Sequence, residues 1–236
     1  TGSTNDDARA LAERGAASGT LVVAGSQTAG RGRAGRQWHS PPGSSLALSL
    51  IVRPAGLPPD VAIGSLTMCA GLAAAEAIEA VSGVPAQLKW PNDVLLRRRK
   101  VCGVLVETAW AGDRLDYAVI GIGINVGRAA PPHAALFPAT SLEAEAGRPV
   151  ERLETLVALL RRWQARQPDL GQPAWVEAWR ARLAFWGEPV RVECGAGALE
   201  GEMAGVTADG ALLLRTTAGE TLTVLAGDVR ALRPFA

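Results

Sequence analysis

Apolar positions fall at helical spacing in four places along the chain and in short strand-like runs elsewhere. Thr4-Asn5-Asp6-Asp7 has the chemistry of a helix start, with acids in the first turn, and Ala8 to Glu13 continues it until Gly15. Ser65 to Val81 is Ala-rich, lacks proline and ends before Gly83, which predicts a buried helix. Glu151 to Gln167 and Ala174 to Phe185 set Leu and Trp on one side against Arg and Glu on the other. Leu21 to Ala24 and Leu46 to Val52 are β-like. Val94 to Leu96, Val101 to Thr108 and Tyr117 to Val126 are also β-like, with turn signals between them that predict an antiparallel meander. After Gly187-Glu188-Pro189 the pattern changes to short alternating strands with glycine turns.

These elements predict an α+β chain in two parts. Residues 1–186 should form a mixed β-sheet with helices packed on one face, and residues 187–236 a small β-barrel. A long polar segment, Gly25 to Ser45, interrupts the first part, and a loop of that length inside a compact domain is usually functional or disordered.

Composition narrows the partners. The formal charge is +1, so any basic site must be local rather than a field that attracts nucleic acid or an anionic membrane. The longest apolar stretch, Met68 to Val81, carries Glu76 and Glu79, and no membrane span is expected. Cys69, Cys102 and Cys194 are odd in number and far apart, with only His39 and His133 to help. Structural zinc and a disulfide framework are not expected, and a reducing cytoplasm is. The terminal strands lack the stacking aromatics of a nucleic-acid module, with only Phe235 after Trp186.

Two segments carry candidate chemistry. In "QTAGRGRAGRQW", Gly30, Gly32 and Gly35 have G-x-G-x-x-G spacing. The residues that follow, Gln37 to Pro42, cannot open the helix that a dinucleotide fingerprint needs, and no acid sits about 20 positions on. What remains is a glycine loop presenting Arg31, Arg33 and Arg36, suited to phosphate or carboxylate. A solvated linker and a single-stranded nucleic-acid contact are the other readings of this loop. The second segment is "KWPNDVLLRRRKVCGVLVE". Arginine outnumbers lysine 22 to 2, and both lysines, Lys89 and Lys100, lie here. An ammonium is a compact point charge that fits between a carboxylate and a phosphate where a planar guanidinium does not. Asp93 beside Lys89 suits a nucleotide-bound magnesium ion, and a ligand-free Asn-Asp turn is the alternative.

Taken in order, "STN" at Ser3 to Asn5, "GRGRAGRQW", "KWPNDV", "KVCGVLVE" and "GIGINV" at Gly121 to Val126 resemble the biotin protein ligases, whose catalytic domain is class II synthetase-like. The resemblance covers the chain to roughly Phe185 well and the terminal barrel more loosely. It implies a two-step activity. Biotin and ATP give biotinyl-5′-AMP and pyrophosphate, and a lysine of a biotin carboxyl carrier protein then takes the biotin and releases AMP. It also implies roles. Lys89, Lys100 and Arg33 would be catalytic, and Ser3, Thr4, Asn5 and Gln27 would hold the ureido ring with Gly30, Arg31, Lys100 and Gly103. Leu105, Gly121 and Ile124 would line the ring and tail. Arg31, Arg33, Arg36, Trp38, Lys89, Asn92 and Asn125 would meet ATP or the adenylate, and Asp93 would bind Mg2+. With "STN" starting at residue 3, the form expected is one lacking an N-terminal DNA-binding domain. A lipoate or octanoate ligase, and a biotin-responsive regulator without turnover, are the competing readings. Polar Ser3 to Asn5 and Gln27 favour a hydrogen-bonding ring over a dithiolane. An edge strand of the sheet could pair two copies into a homodimer.

Overall fold

The computed structural model describes residues 1–53, 59–127, 138–170, 172, 174–195 and 197–232. His133 and Phe235 lie outside them. Strands β1 (Leu21–Ala24), β2 (Ser45–Val52), β3 (Ala86–Lys89), β4 (Asp93–Leu96), β5 (Arg99–Ala111) and β6 (Arg114–Asn125) form one sheet in the order β1-β2-β6-β5-β4-β3. The meander and the α+β architecture hold. The sheet is not mixed, however: every strand pairing is antiparallel. Among the described residues, parallel contacts to this sheet occur only as isolated bridges, Leu88 with Leu183 and Lys100 with Ala139.

All of β2 is buried, which a strand covered on both faces requires. Leu46, Leu48, Leu50 and Val52 join the main core under α2 (Pro59–Ser82), while Ile51 joins Ala8 and Ala12 of α1 (Thr4–Glu13), Tyr117 and Val119. The helices therefore do not all pack on one face: α2 covers one side, and α1 covers part of the other. The apolar residues of α1 reach β6 only at Tyr117 and Val119, so the rest of that side of β5 and β6 carries no helix among the described residues. Helix α2 fits closely because its residues are small; at Gly71 a Cβ would lie 3.5 Å from Leu88 and 3.6 Å from Trp179. It is the one helix among the described residues long and apolar enough to cross a membrane, and 67% of that stretch is buried inside the protein.

Helix α3 (Leu142–Ala146) and strand β3 add elements that the hydrophobic pattern did not predict, and α4 (Arg152–Arg166) packs on α2. Helix α5 (Ala174–Arg180) stops five residues before the expected Phe185. The physical reason is the sheet edge. Leu88 donates its N–H to the Arg182 carbonyl at 2.8 Å, and Ala184 donates to the Leu88 carbonyl at 2.9 Å, so residues 182–184 satisfy β3 instead of continuing a helix.

Strands β7 (Pro189–Cys194), β8 (Gly197–Val206), β9 (Leu212–Arg215), β10 (Thr221–Val224) and β11 (Asp228–Ala231) form the second sheet, antiparallel in the order β10-β9-β8-β7-β11. Its inward residues, Val190, Val192, Met203, Leu212 and Leu214, belong to the same buried cluster as α2 and the first sheet. The Trp90 indole N–H donates to the Gly210 carbonyl across this junction at 2.9 Å.

Candidate functional site

The pleat decides which residues face the uncovered side. Register pairs Leu105 with Gly121, Gly103 with Gly123, Ser49 with Gly121 and Ser45 with Asn125, so these residues share one face with Asp93, which pairs with Gly103. Above that floor lies a cavity of about 730 Å3, within the range of small-molecule sites. The glycines make room for it. A Cβ at Gly121 would lie 2.3 Å from Asn5 Oδ1, and one at Gly123 would lie 2.4 Å from the Trp38 ring.

Ser3, Thr4 and Asn5, at the start of α1, form a buried polar wall. Gln27 Oε1 accepts the Thr4 N–H at 2.8 Å and its hydroxyl at 3.1 Å. Ser49, fully buried, donates towards Thr4 Oγ1 at 2.8 Å and Asn5 Oδ1 at 2.5 Å. Thr4 and Asn5 are thus held in fixed orientation, which suits recognition of a small polar ring.

At the far end Lys89 Nζ lies 3.4 Å from Asp93 Oδ2, and Lys100 Nζ lies 2.5 Å from Asp93 Oδ1. Lys89 and Asp93 are buried, and Lys100 is about one-quarter exposed (26%). Burial pushes the Asp93 carboxyl up, but Lys100 and Lys89 together outweigh it and hold it below the usual carboxylate range. Burial pulls Lys89 below an ordinary lysine; Asp93 opposes that pull and Lys100 adds to it. Two positive charges are therefore kept at close quarters by one carboxylate. Asn92 Nδ2 donates to the Val104 carbonyl at 2.6 Å, and Asn125 Nδ2 donates to the Thr140 carbonyl at 3.0 Å.

The glycine-arginine segment is a tight hairpin, not a loose linker. Arg31 bridges Gln37, the Gly32 N–H donates to the Arg36 carbonyl at 2.7 Å, and a 3-10 turn at Arg33–Gly35 closes the tip, with Ala34 and Gly35 at positive φ. Arg31 pairs with Asp6 at 2.7 Å and with Glu107 at 2.8 Å. Arg36 pairs with Asp228 of β11. Burial lowers the Arg33 pKa, with Asp228 as the main opposing influence. Trp38 packs its ring near Gly103 and under Lys100, whose Nζ is 5.8 Å from the ring centroid. The Trp38 indole N–H is buried without a hydrogen-bond partner among the described residues.

The cavity brings together Ser3, Thr4, Asn5, Gln27, Arg31, Arg33, Arg36, Trp38, Lys89, Asn92, Asp93, Lys100, Gly103, Leu105, Gly121 and Asn125. Two expected residues stand apart. Ile124 is fully buried in the core on the α2 side, because it lies between Gly123 and Asn125 and adjacent residues of a pleated strand face opposite ways. Gly30 closes the hairpin base instead of lining the cavity: its carbonyl accepts the Trp38 N–H at 2.9 Å, and a Cβ there would lie 2.4 Å from the Trp38 carbonyl. Asp93 faces both ammonium groups, and its Oδ1 has no hydrogen-bond partner among the described residues. Among the described residues no group of three or more His, Cys, Asp or Glu could hold a metal. Sequence reasoning missed Arg99, Thr140 and Ser141, and also Asp228 and Arg230 of the second sheet, all of which line the cavity. Only the Thr140-Ser141 helix start carried a local signal, a Ser followed by acids.

Comparison with known proteins finds two family models on the chain. The Biotin/lipoate A/B protein ligase family matches residues 2–125, and the Biotin protein ligase C terminal domain matches residues 185–230. The chain is 38% identical over 228 residues to a biotin--[acetyl-CoA-carboxylase] ligase of Paracoccus denitrificans, covering 93% of each. It is 38% identical over 243 residues to the enzyme of that name from Mycobacterium tuberculosis, covering 99% of this chain and 87% of the other. Among solved structures, the biotin protein ligase from Aquifex aeolicus in complex with biotin and ATP superposes with a TM-score of 0.81 at 32% identity, over 98% of this chain and 95% of that one.

Proposed function

The chain belongs to the Biotin/lipoate A/B protein ligase family, and from that premise we propose that it is an ATP-dependent biotin protein ligase. It joins biotin to ATP as biotinyl-5′-AMP, releases pyrophosphate, and passes the biotin to a lysine of a carboxylase's biotin carrier domain. The observation that carries this reading is the convergence of the only two lysines on Asp93 at the end of a polar-walled cavity, beneath an arginine hairpin.

In the first step a biotin carboxylate oxygen bonds to the α-phosphorus as the bond to pyrophosphate breaks. Two anions must meet, so fixed positive charge in a water-poor site is the main requirement. Lys89 and Lys100 supply it, and Asp93 lets both remain charged without a ligand between them. Incoming phosphate and carboxylate oxygens take up the ammonium hydrogen bonds, while Arg33 and Arg36 close over the phosphates. Ser3, Thr4, Asn5 and Gln27 hold the ureido ring, with Gly103, Leu105 and Gly121 beneath it. Trp38, Asn92 and Asn125 serve the adenylate. In the second step the carrier amine attacks the anhydride carbonyl carbon, AMP leaves with the bonding pair, and the amine proton passes to solvent.

Magnesium belongs in this reading as the counter-ion of ATP's own phosphates, and Asp93 belongs to the lysines. We divide the chain into a catalytic part, residues 1–186, and a C-terminal part, 187–236; the change of sheet supports this. Three free cysteines fit a reducing, cytoplasmic setting. Strand β1 is an open sheet edge, with Val23 exposed, where a second copy could pair. The test is biotin-dependent exchange of labelled pyrophosphate into ATP, with lipoate in parallel. Exchange with biotin alone is expected; exchange with lipoate alone, or with neither acid, would overturn the reading.

A further inference from the structure

Glu107 lies on β5 two residues beyond Leu105, on the same side of the pleat but outside the cavity lining. Its side chain is 26% exposed and meets three donors. Asn5 Nδ2 approaches Oε2 at 2.7 Å, Arg31 Nη2 the same oxygen at 2.8 Å, and Arg9 Nη2 approaches Oε1 at 3.1 Å. Two of these donors belong to opposite walls of the site: Asn5 to the start of α1, and Arg31 to the hairpin over the cavity. Arg31 is fixed from its other side by Asp6 at 2.7 Å. The Asn5 amide has its orientation set at both ends, because Ser49 holds its oxygen at 2.5 Å.

We propose that Glu107 is a positioning residue that clasps the arginine hairpin to the biotin-binding wall, acting through Asn5 and Arg31. The inference rests on the ligase reading and deepens it. An isolated surface ion pair would contribute little, but here one carboxylate sets the direction of an amide and the distance between two walls. With Gln at 107 a single uncharged carbonyl oxygen replaces the two carboxylate oxygens that serve Asn5, Arg31 and Arg9, so the hold on the Asn5 amide weakens and Arg31 keeps only Asp6 as an ionic partner. The hairpin then separates more readily from α1, which lowers biotin affinity and lets water or bulk solvent reach the anhydride.

The experiment compares the wild-type chain with Glu107→Gln, Glu107→Asp, Arg31→Ala and the Arg31→Ala/Glu107→Gln double variant. It measures biotin-dependent pyrophosphate exchange, the fraction of biotinyl-5′-AMP released free when an acceptor carrier domain is present, and Tm. For Glu107→Gln we expect KM for biotin to rise by roughly tenfold with a smaller fall in kcat, and free adenylate to increase. Glu107→Asp should recover part of both, and the double variant should be no worse than the more severe single one. Wild-type KM and adenylate release in Glu107→Gln, or additive effects in the double variant, would overturn the clasp. If Glu107→Gln loses its folding transition, Arg31→Ala alone must reproduce the release, or the clasp is overturned. A wild-type chain without exchange would instead overturn the ligase reading beneath it.

Discussion

In the proposed mechanism Lys89 carries much of the chemistry, and its environment makes two predictions. Lys89→Arg keeps the charge but places a planar group where a compact one is packed against Asp93. We expect the fold to survive and exchange to fall by roughly a hundredfold; near-normal turnover would remove the electrostatic account. The second prediction concerns pH. Burial lowers the Lys89 pKa, so its charge is lost as pH rises through a value below the ordinary 10.5, and the alkaline limb of the exchange rate falls below that pH. Asp93 works in the opposite sense, so Asp93→Asn should move the limb to lower pH still; an unmoved limb counts against the pairing. For Asp93 itself the folded pKa is depressed, so its contribution to stability is present above its ordinary 3.8 and is lost as pH falls below it. Much of this was legible in the sequence, because lysine is so scarce that its two survivors mark the site. That Asp93 meets both lysines was not legible, since sequence gives adjacency but not which side chains a strand pairing brings face to face.

Strands β5 and β6 act as the floor, and their glycines are the feature to perturb. Gly121→Ala would drive a methyl into the Asn5 amide, so we expect KM for biotin to rise by roughly tenfold or more at a stability cost of about 1–3 kcal/mol. Gly123→Ala should displace Trp38 instead, which near-ultraviolet circular dichroism would register; an unchanged spectrum would mean that the indole does not rest there. The sequence carried the means to sort these positions. Period-two alternation in "GIGIN" places Gly121, Gly123 and Asn125 together and Ile124 on the opposite face, so only the first three can meet a ligand on the cavity side. Strand β3 was harder to see. Ala86-Gln87-Leu88-Lys89 has no β-branched residue, and it is held by β4 on one side and by residues 182–184 on the other, nearly a hundred positions away. The same pairing shortened α5, so one long-range contact accounts for two departures from the hydrophobic pattern.

On the scale of the whole molecule, the two sheets share one buried core, and the second sheet reaches the site through Asp228 and Arg230. We therefore expect a single calorimetric unfolding transition, lost together with activity; two separate transitions would mean that the sheets fold independently. None of this junction was legible in the sequence, because Trp90 with Gly210, and Arg36 with Asp228, are joined only by tertiary packing. The scarcity of lysine has a practical consequence at this scale too. With 22 arginines carrying the other basic positions, a reagent that acylates primary amines finds almost nothing on the surface to modify. Apart from the chain's α-amine, its first accessible target is Lys100. Coupling through Lys100 to an amine-reactive sensor chip should therefore block the very pocket under study, and the ligands that fill that pocket should shield that lysine.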